Sequence, residues 1–260
     1  MRTQTFVLAL LAGTLISGQS IAVEASGTTV GVKPDAEAAG AEGLRVIKIK
    51  GPIYMGDVIT TSIKGLVEII FVDDTKFVVG ANSKVTIDAF VFDANKTAQE
   101  VSISAVKGAF RFITGKSPKD NYSIRTPTMT IGVRGTAFDL AVRPGTGESM
   151  VVVHEGITDL CDAIHRCSEG HAGSMSVGSA SGIRSVPAGL ERKERLNAYF
   201  PLVKSQGDLD PVFVVQVPGE MGNGGGSEPR HDGTSEHPPA DGGGDGSPPP
   251  GGSPPDGRPP

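Results

Sequence analysis

From Leu44 to Val186 the chain alternates apolar and polar residues in short runs. Val67, Ile69 and Phe71 alternate with Glu68 and Ile70, and Val85, Ile87, Ala89 and Val91 with Lys84, Thr86 and Asp88. Val101, Ile103 and Ala105 alternate with Ser102 and Ser104, while Phe110 and Phe112 flank Arg111. A period of two puts one set of side chains on a buried face and the other set in water. The separators carry turn chemistry: Asp73-Asp74, Gly80 to Ser83, Asp93 to Asn95, Lys107-Gly108, Thr114-Gly115 and Pro144-Gly145. Many short strands at a spacing of roughly ten residues predict an all-β domain, sandwich-like, barrel-like or a β-solenoid. One short helix is expected after it, from about Ala188 to Phe200, with Leu190 and Leu196 available for packing. Pro187 suits its start and Pro201 its stop. It reads as a cap over the β domain; its weak apolar face argues against a partner-binding helix.

The two ends have another character. Met1-Arg2 is followed by the apolar run Phe6 to Ile16, then a polar stretch and the small-x-small pattern Ser20-Ile21-Ala22. This layout predicts a signal peptide over residues 1–22, cleaved after Ala22 or, as the alternative, Ala25. A membrane anchor would need an apolar run of roughly 20 residues, so none is expected after cleavage. No cysteine lies near the cleavage site to carry a lipid. Residues 23–43, rich in Ala, Gly and Glu, read as a linker without periodicity. Residues 205–260 read as linker and disordered Gly/Pro-rich tail, because such a segment has too little apolar surface to offset the entropy of ordering. From Glu220 to Pro260 there are seven acids and two arginines, a net charge of −5. The whole chain is also −5, which leaves the remainder balanced and without the basic stripe that nucleic acid would require.

The order of segments over residues 44–186 resembles the FecR domain. Gly56 to Thr61 resembles the family's G-D-x-[IV]-x-T step, and Val67 to Ser83 its F-x-D-G-[TS] hairpin ending G-x-N-S. Val101 to Phe112 resembles its G-x-[FV]-[RW] strand pair. Tyr122 to Leu140 carries Thr126-Pro127 and Gly132-Val133-Arg134-Gly135-Thr136, close to the T-P…G-V-R-G-T signature. His154-Glu155-Gly156 stands at the family's E-G turn. Asp74 replaces the usual Gly, at some cost in turn stability. Met129 replaces a small residue.

Two glycines three apart, Gly132 and Gly135, suit a bulge or bend, with Arg134 placed to bond freed carbonyls or pair with an acid. Thr126, Pro127, Gly132, Arg134, Gly135 and Thr136 are therefore the candidate structural or partner-binding residues, and an anion site at the bend is the less favoured reading. Cys161 and Cys167, with His165 and His171, give C-x3-H-x-C-x3-H. A disulfide is the natural state for two cysteines closing a short loop in an exported chain; zinc binding and free or intermolecular thiols stay open. Related FecR-type domains also carry paired cysteines after the E-G strand. Gly115-Lys116-Ser117 ends a phosphate-loop pattern whose first glycine is Phe110, and Gly178 to Gly182 has Ala180 where a nucleophile elbow needs Ser. No catalytic set, cofactor or metal site is expected.

In signalling members, the resemblance implies, this domain is the envelope part of an anti-sigma regulator and binds a TonB-dependent outer-membrane receptor. With only a signal peptide and linker before Leu44, the expectation is a stand-alone adaptor in the periplasm or medium of a Gram-negative bacterium. Its partner would be another envelope protein, for example an outer-membrane receptor, held by main-chain pairing at a strand edge. The alternative is an envelope structural protein that binds polysaccharide or peptidoglycan, which the absence of Trp and the presence of only three tyrosines weaken.

Overall fold

The computed structural model describes residues 24–92, 98–118 and 121–218. The signal-peptide reading and the tail beyond Pro218 lie outside the described residues, as does the Asp93 to Asn95 turn. Among the described residues, hydrogen bonding links fifteen strands into one network that bends into two packed layers.

Three long strands make the bend: β9 (Ala98–Ile113), β11 (Thr130–Val142) and β12 (Ser149–Cys161). The first half of β9 pairs with β8 (Lys84–Phe92) and, in parallel, with β10 (Tyr122–Arg125). Its second half pairs with β7 (Lys76–Val79) and the second half of β11. The change of partner falls at Gly108, Gly135 and Gly156, all with positive φ (111°, 65° and 76°). At Gly156 a Cβ would sit 2.2 Å from the Gly135 carbonyl oxygen, so the two bends can cross only as glycine. Lys107-Gly108 and His154 to Gly156, expected as turns, are thus bends inside continuous strands. Strands that switch layers at such corners are a standard way to fold one sheet over itself.

The first layer continues outward through β5 (Val58–Thr61), β2 (Ala36–Gly40) and β3 (Gly43–Val46) on one side, and β13 (Cys167–His171) on the other. The second continues through β6 (Leu66–Phe71), β1 (Ala25–Lys33) and β4 (Pro52–Tyr54), and on the far side through β14 (Met175–Ser179) and β15 (Gly182–Ser185). The expected linker over 23–43 is therefore structured. β1 and β2 are rich in Gly, Ala and Thr, and their pairing comes from long-range partners rather than from any local apolar pattern.

One core lies between the layers. Val85, Ile87, Val101, Ile103, Ile124 and Ile131 of the first meet Val67, Ile69, Phe77, Phe110, Phe112 and Phe138 of the second. Phe71 stacks on Phe90 across the gap at 3.9 Å, and Phe112 meets Tyr122 edge-on at 5.8 Å. The expected alternation fails in β8. A bulge after Ile87 shifts the register, so Phe90 turns inward while Val91 is left exposed.

The C-terminal segment covers the outside of the second layer. Helix α1 (Leu190–Tyr199), helix α2 (Pro201–Lys204) and two 3-10 turns (Gln206–Asp208 and Pro211–Phe213) follow one another. Leu196, Phe200 and Val203 bury against Ala141, Met150, Val152 and Met175, while Leu202, Leu209 and Phe213 bury against Val78. Leu190, expected to pack, is exposed. Arg192 is buried in its place, donating to the Val186 and Gly173 carbonyls. Pro201 stops α1 and serves as the first residue of α2, whereas Pro187 lies before the helix. Residues 205–217, read from sequence as linker, are part of this packed cover.

Candidate functional site

Two outer faces result, one bare and one covered. On the bare face of the first layer, register aligns Leu44, Ala39, Val58, Thr86, Ser104, Arg125, Thr130, Cys161 and Cys167 across nine strands. Small hydroxyl residues dominate its middle. Ser104 donates to Asp88 at 2.5 Å and Arg125 to Ser102 at 2.8 Å.

The family-motif residues gather at one end of this face and at the bend. Gly132 pairs with Ser123 and Asp159 in register, and Arg134 Nε reaches Asp159 Oδ2 at 2.8 Å with both side chains solvent-accessible. Gly135 makes the bend. Thr136 Oγ1 accepts from the Arg134 N–H and donates to the Ile157 carbonyl, while its N–H donates to Thr114 Oγ1. Thr126 closes the β10–β11 turn through Met129, with Pro127 exposed beside it. The arginine thus has an acid partner, and the hydroxyl answers the carbonyls freed by the bend.

Cys161 and Cys167 form a disulfide across β12 and β13, at the edge of the bare face. Asp162 accepts from the Ile164 and Arg166 N–H groups and from the Arg166 side chain, which closes the loop between them. At the opposite edge, β3 pairs only with β2 and exposes Leu44 and Val46 at 72% and 62%. Arg45 between them points back, to an ion pair with Asp57 and a stacking contact on Tyr54.

The covered face holds what the sequence reading missed. Along one row lie Glu68, Val78, Arg111, Asp139, Val152 and Met175. Arg111, expected in water between two phenylalanines, is fully buried. Its Nε and Nη2 grip Asp139 at 2.6 and 2.8 Å, and its other hydrogens go to Gln206 Oε1 and the Leu202 and Phe213 carbonyls. Burial works to raise the Asp139 carboxyl, but the Arg111 charge and hydrogen bonds outweigh it and hold it below the usual aspartate range. Glu68, also expected in water, accepts the Asp210 N–H at 2.8 Å, and burial pushes its carboxyl up. The signal was present: Arg111, Asp139 and Glu68 are charged residues set at the same parity within strongly apolar strands.

His154 and Glu155 point to opposite sides, His154 buried and Glu155 exposed. His154 Nε2 stands 3.4 Å from Asp139 Oδ1, outside hydrogen-bond geometry. Asp73 and Asp74 also diverge. Buried Asp73 accepts from Thr75, Ser117 and Tyr122, whereas Asp74 sits exposed at φ 66° and pairs with Lys116. The Gly115 to Ser117 stretch is thereby a turn fastened to Asp73, and Gly178 to Gly182 is the β14–β15 hairpin. No helix of the described residues is long and apolar enough to cross a membrane.

Residues 57–157 match the family model described as FecR protein. That stretch runs from β5 into β12 and includes the bend and the buried Arg111–Asp139 pair. Two solved structures are similar to part of the chain, both crystal structures of a proposed anti-sigma factor from Parabacteroides distasonis ATCC 8503. One is 14% identical with a TM-score of 0.39, over 50% of this chain and 58% of that one. The other is 13% identical with a TM-score of 0.40, over 54% and 63%. This chain therefore spans less than two thirds of either. No curated protein matches it.

Proposed function

We propose that the chain is an exported, non-enzymatic FecR-domain protein that binds another envelope protein along the β3 edge. The observation that carries this is the contrast among the sheet edges. β4 has three residues and begins with Pro52; β15 is short and carries Arg184 paired with Glu191; β13 carries Glu169, His171 and the disulfide. Such devices blunt an edge against pairing. β3 is also short, at four residues, but its Arg45 turns back onto Asp57 and leaves Leu44 and Val46 exposed, which suits a partner's extended segment adding as a further strand. The FecR match supports a signalling adaptor role, with an outer-membrane receptor as the first partner to test. Export rests on the Met1 to Ala22 pattern, and the carboxylates committed to structural bonds support a role without catalysis.

The polysaccharide reading finds no aromatic platform among the described residues. Tyr122 is buried, Tyr54 lies under Arg45 and Tyr199 under Arg143. A photo-crosslinking residue at position 44, expressed in cells, should give one discrete envelope-protein adduct, and the same residue at position 184 in β15 should give none. Equal or absent adducts would overturn the β3 assignment. Recovery of the chain in the cytoplasm with Met1 intact would overturn the export assignment.

A further inference from the structure

The Cys161–Cys167 disulfide bridges a turn that hydrogen bonds already close. The two cysteines stand directly opposite in the β12–β13 register, and among the described residues β13 pairs with no other strand. Inside the turn, the Asp162 N–H donates to the Arg166 carbonyl and the His165 N–H to the Asp162 carbonyl, at 3.0 Å each. The Asp162 carboxylate accepts the Ile164 and Arg166 N–H groups and the Arg166 Nε, at 2.8–3.0 Å. The link spans only six positions, and stabilisation by a disulfide grows with the loop it closes. By linkage, the fold protects the bond from reduction by no more than the bond stabilises the fold. Cys167 is exposed and Cys161 half-buried, so solvent has access to one end of the bridge. Exposed disulfides are the labile ones, whereas structural disulfides resist the thiols around them.

We propose that Cys161–Cys167 is a thiol–disulfide exchange site, opened at Cys167 by a dithiol reductant while the domain stays folded. A thiolate of the reductant attacks Cys167 Sγ. The new S–S bond forms as the Cys161–Cys167 bond breaks, and Cys161 leaves with the electron pair and takes a proton from water. The reductant's second thiol loses its proton, attacks its own sulfur in the mixed disulfide and releases Cys167, which is protonated in turn. The reductant passes from dithiol to disulfide, and this chain gains two electrons and two protons. The Asp162 bonds involve neither sulfur, so the turn and the β12–β13 pairing survive the change. The outcome is a pair of free thiols at the edge of the bare face, presented on an otherwise unchanged strand.

The test places the oxidised full chain in glutathione buffers of graded ratio, quenches by thiol alkylation and reads the product by mass. Both cysteines should pass from oxidised to reduced across the series with no denaturant present. Dithiothreitol should give the same reduced chain and leave no adduct. In the reduced chain, cross-strand NOEs between Asp159 and Glu169 and between Ile157 and His171 should persist, as their register requires. Cys161→Ser should collect a stable glutathione adduct on Cys167, whereas Cys167→Ser, with only the half-buried Cys161, should react about tenfold more slowly. A disulfide that stays oxidised until urea unfolds the chain, a β13 that detaches on reduction, or equal rates for the two variants would each overturn the proposal. If either variant does not fold, the redox series and the NOEs of the native chain decide alone.

Discussion

The two layers are built from shared strands, yet their outer faces have opposite fates. The face carrying Thr86, Ser104, Arg125 and Thr130 is left to water; the face carrying Glu68, Arg111, Asp139 and Val152 is sealed under residues 190–217. Each face contains an arginine–aspartate pair, Arg134–Asp159 on the first and Arg111–Asp139 on the second. The accessible pair is screened by solvent. The buried pair has no water to fall back on, so its hydrogens must all be answered from within, and the carbonyls of Leu202 and Phe213 answer them. A charged pair under an apolar cover thus works as a register mark: the cover fits only where its carbonyls meet the guanidinium.

The largest effect is expected from breaking that mark. Arg111→Ala leaves Asp139 buried and unpaired, and unfolding in urea should show a loss of about 3–5 kcal/mol. Phe213→Ala, in the same cover, should cost about 3 kcal/mol by emptying a fully enclosed site. Replacing Cys161 and Cys167 together by Ser opens a short loop at the edge of the bare face and should cost about 2 kcal/mol, read as a lower midpoint under oxidising conditions only.

The two buried carboxylates of the covered face should respond to pH in opposite senses. Asp139 has a lowered folded value, so its contribution is present above the ordinary aspartate value of 3.8 and is lost as pH falls through the folded value. Glu68 has a raised value, so its contribution is full below the ordinary glutamate value of 4.5 and is lost as pH rises through the folded one. Glu68→Gln, which keeps the acceptor for the Asp210 N–H, should therefore gain stability relative to the parent as pH climbs past 4.5. A pH series of urea midpoints checks both; a flat difference between the two proteins would show that Glu68 is not strained by burial. The smallest effect belongs to Arg134→Ala on the bare face, at under about 1 kcal/mol. A loss as large as that of Arg111→Ala would abolish the distinction between the faces.

Local patterning determined a good deal of this molecule. The apolar parity of Val67 to Phe71, Val101 to Ala105 and Phe110 to Phe112 names the side chains that fill the core, because a strand can bury only alternate residues on one side. The FecR resemblance over the motifs from Gly56 to Gly156 agrees with the matched stretch, residues 57–157, and Asp74 does take the positive φ that its position demands. Gly132-Val133-Arg134-Gly135-Thr136 is legible as an interruption for the same reason: few residues other than glycine turn a strand so sharply. What a period of two cannot express is whether the second face meets water or a segment arriving from a hundred residues away. Arg111 and Glu68 read as solvated because their neighbours in sequence are silent about residues 202–213. The bulge in β8 and the pairing of the Ala-rich β1 and β2 were likewise decided by partners distant in sequence. Alternation and turn chemistry fix which residues can share a face and where the chain turns, whereas long-range packing chooses the face that is covered, since burial is a property of what comes to lie against a residue.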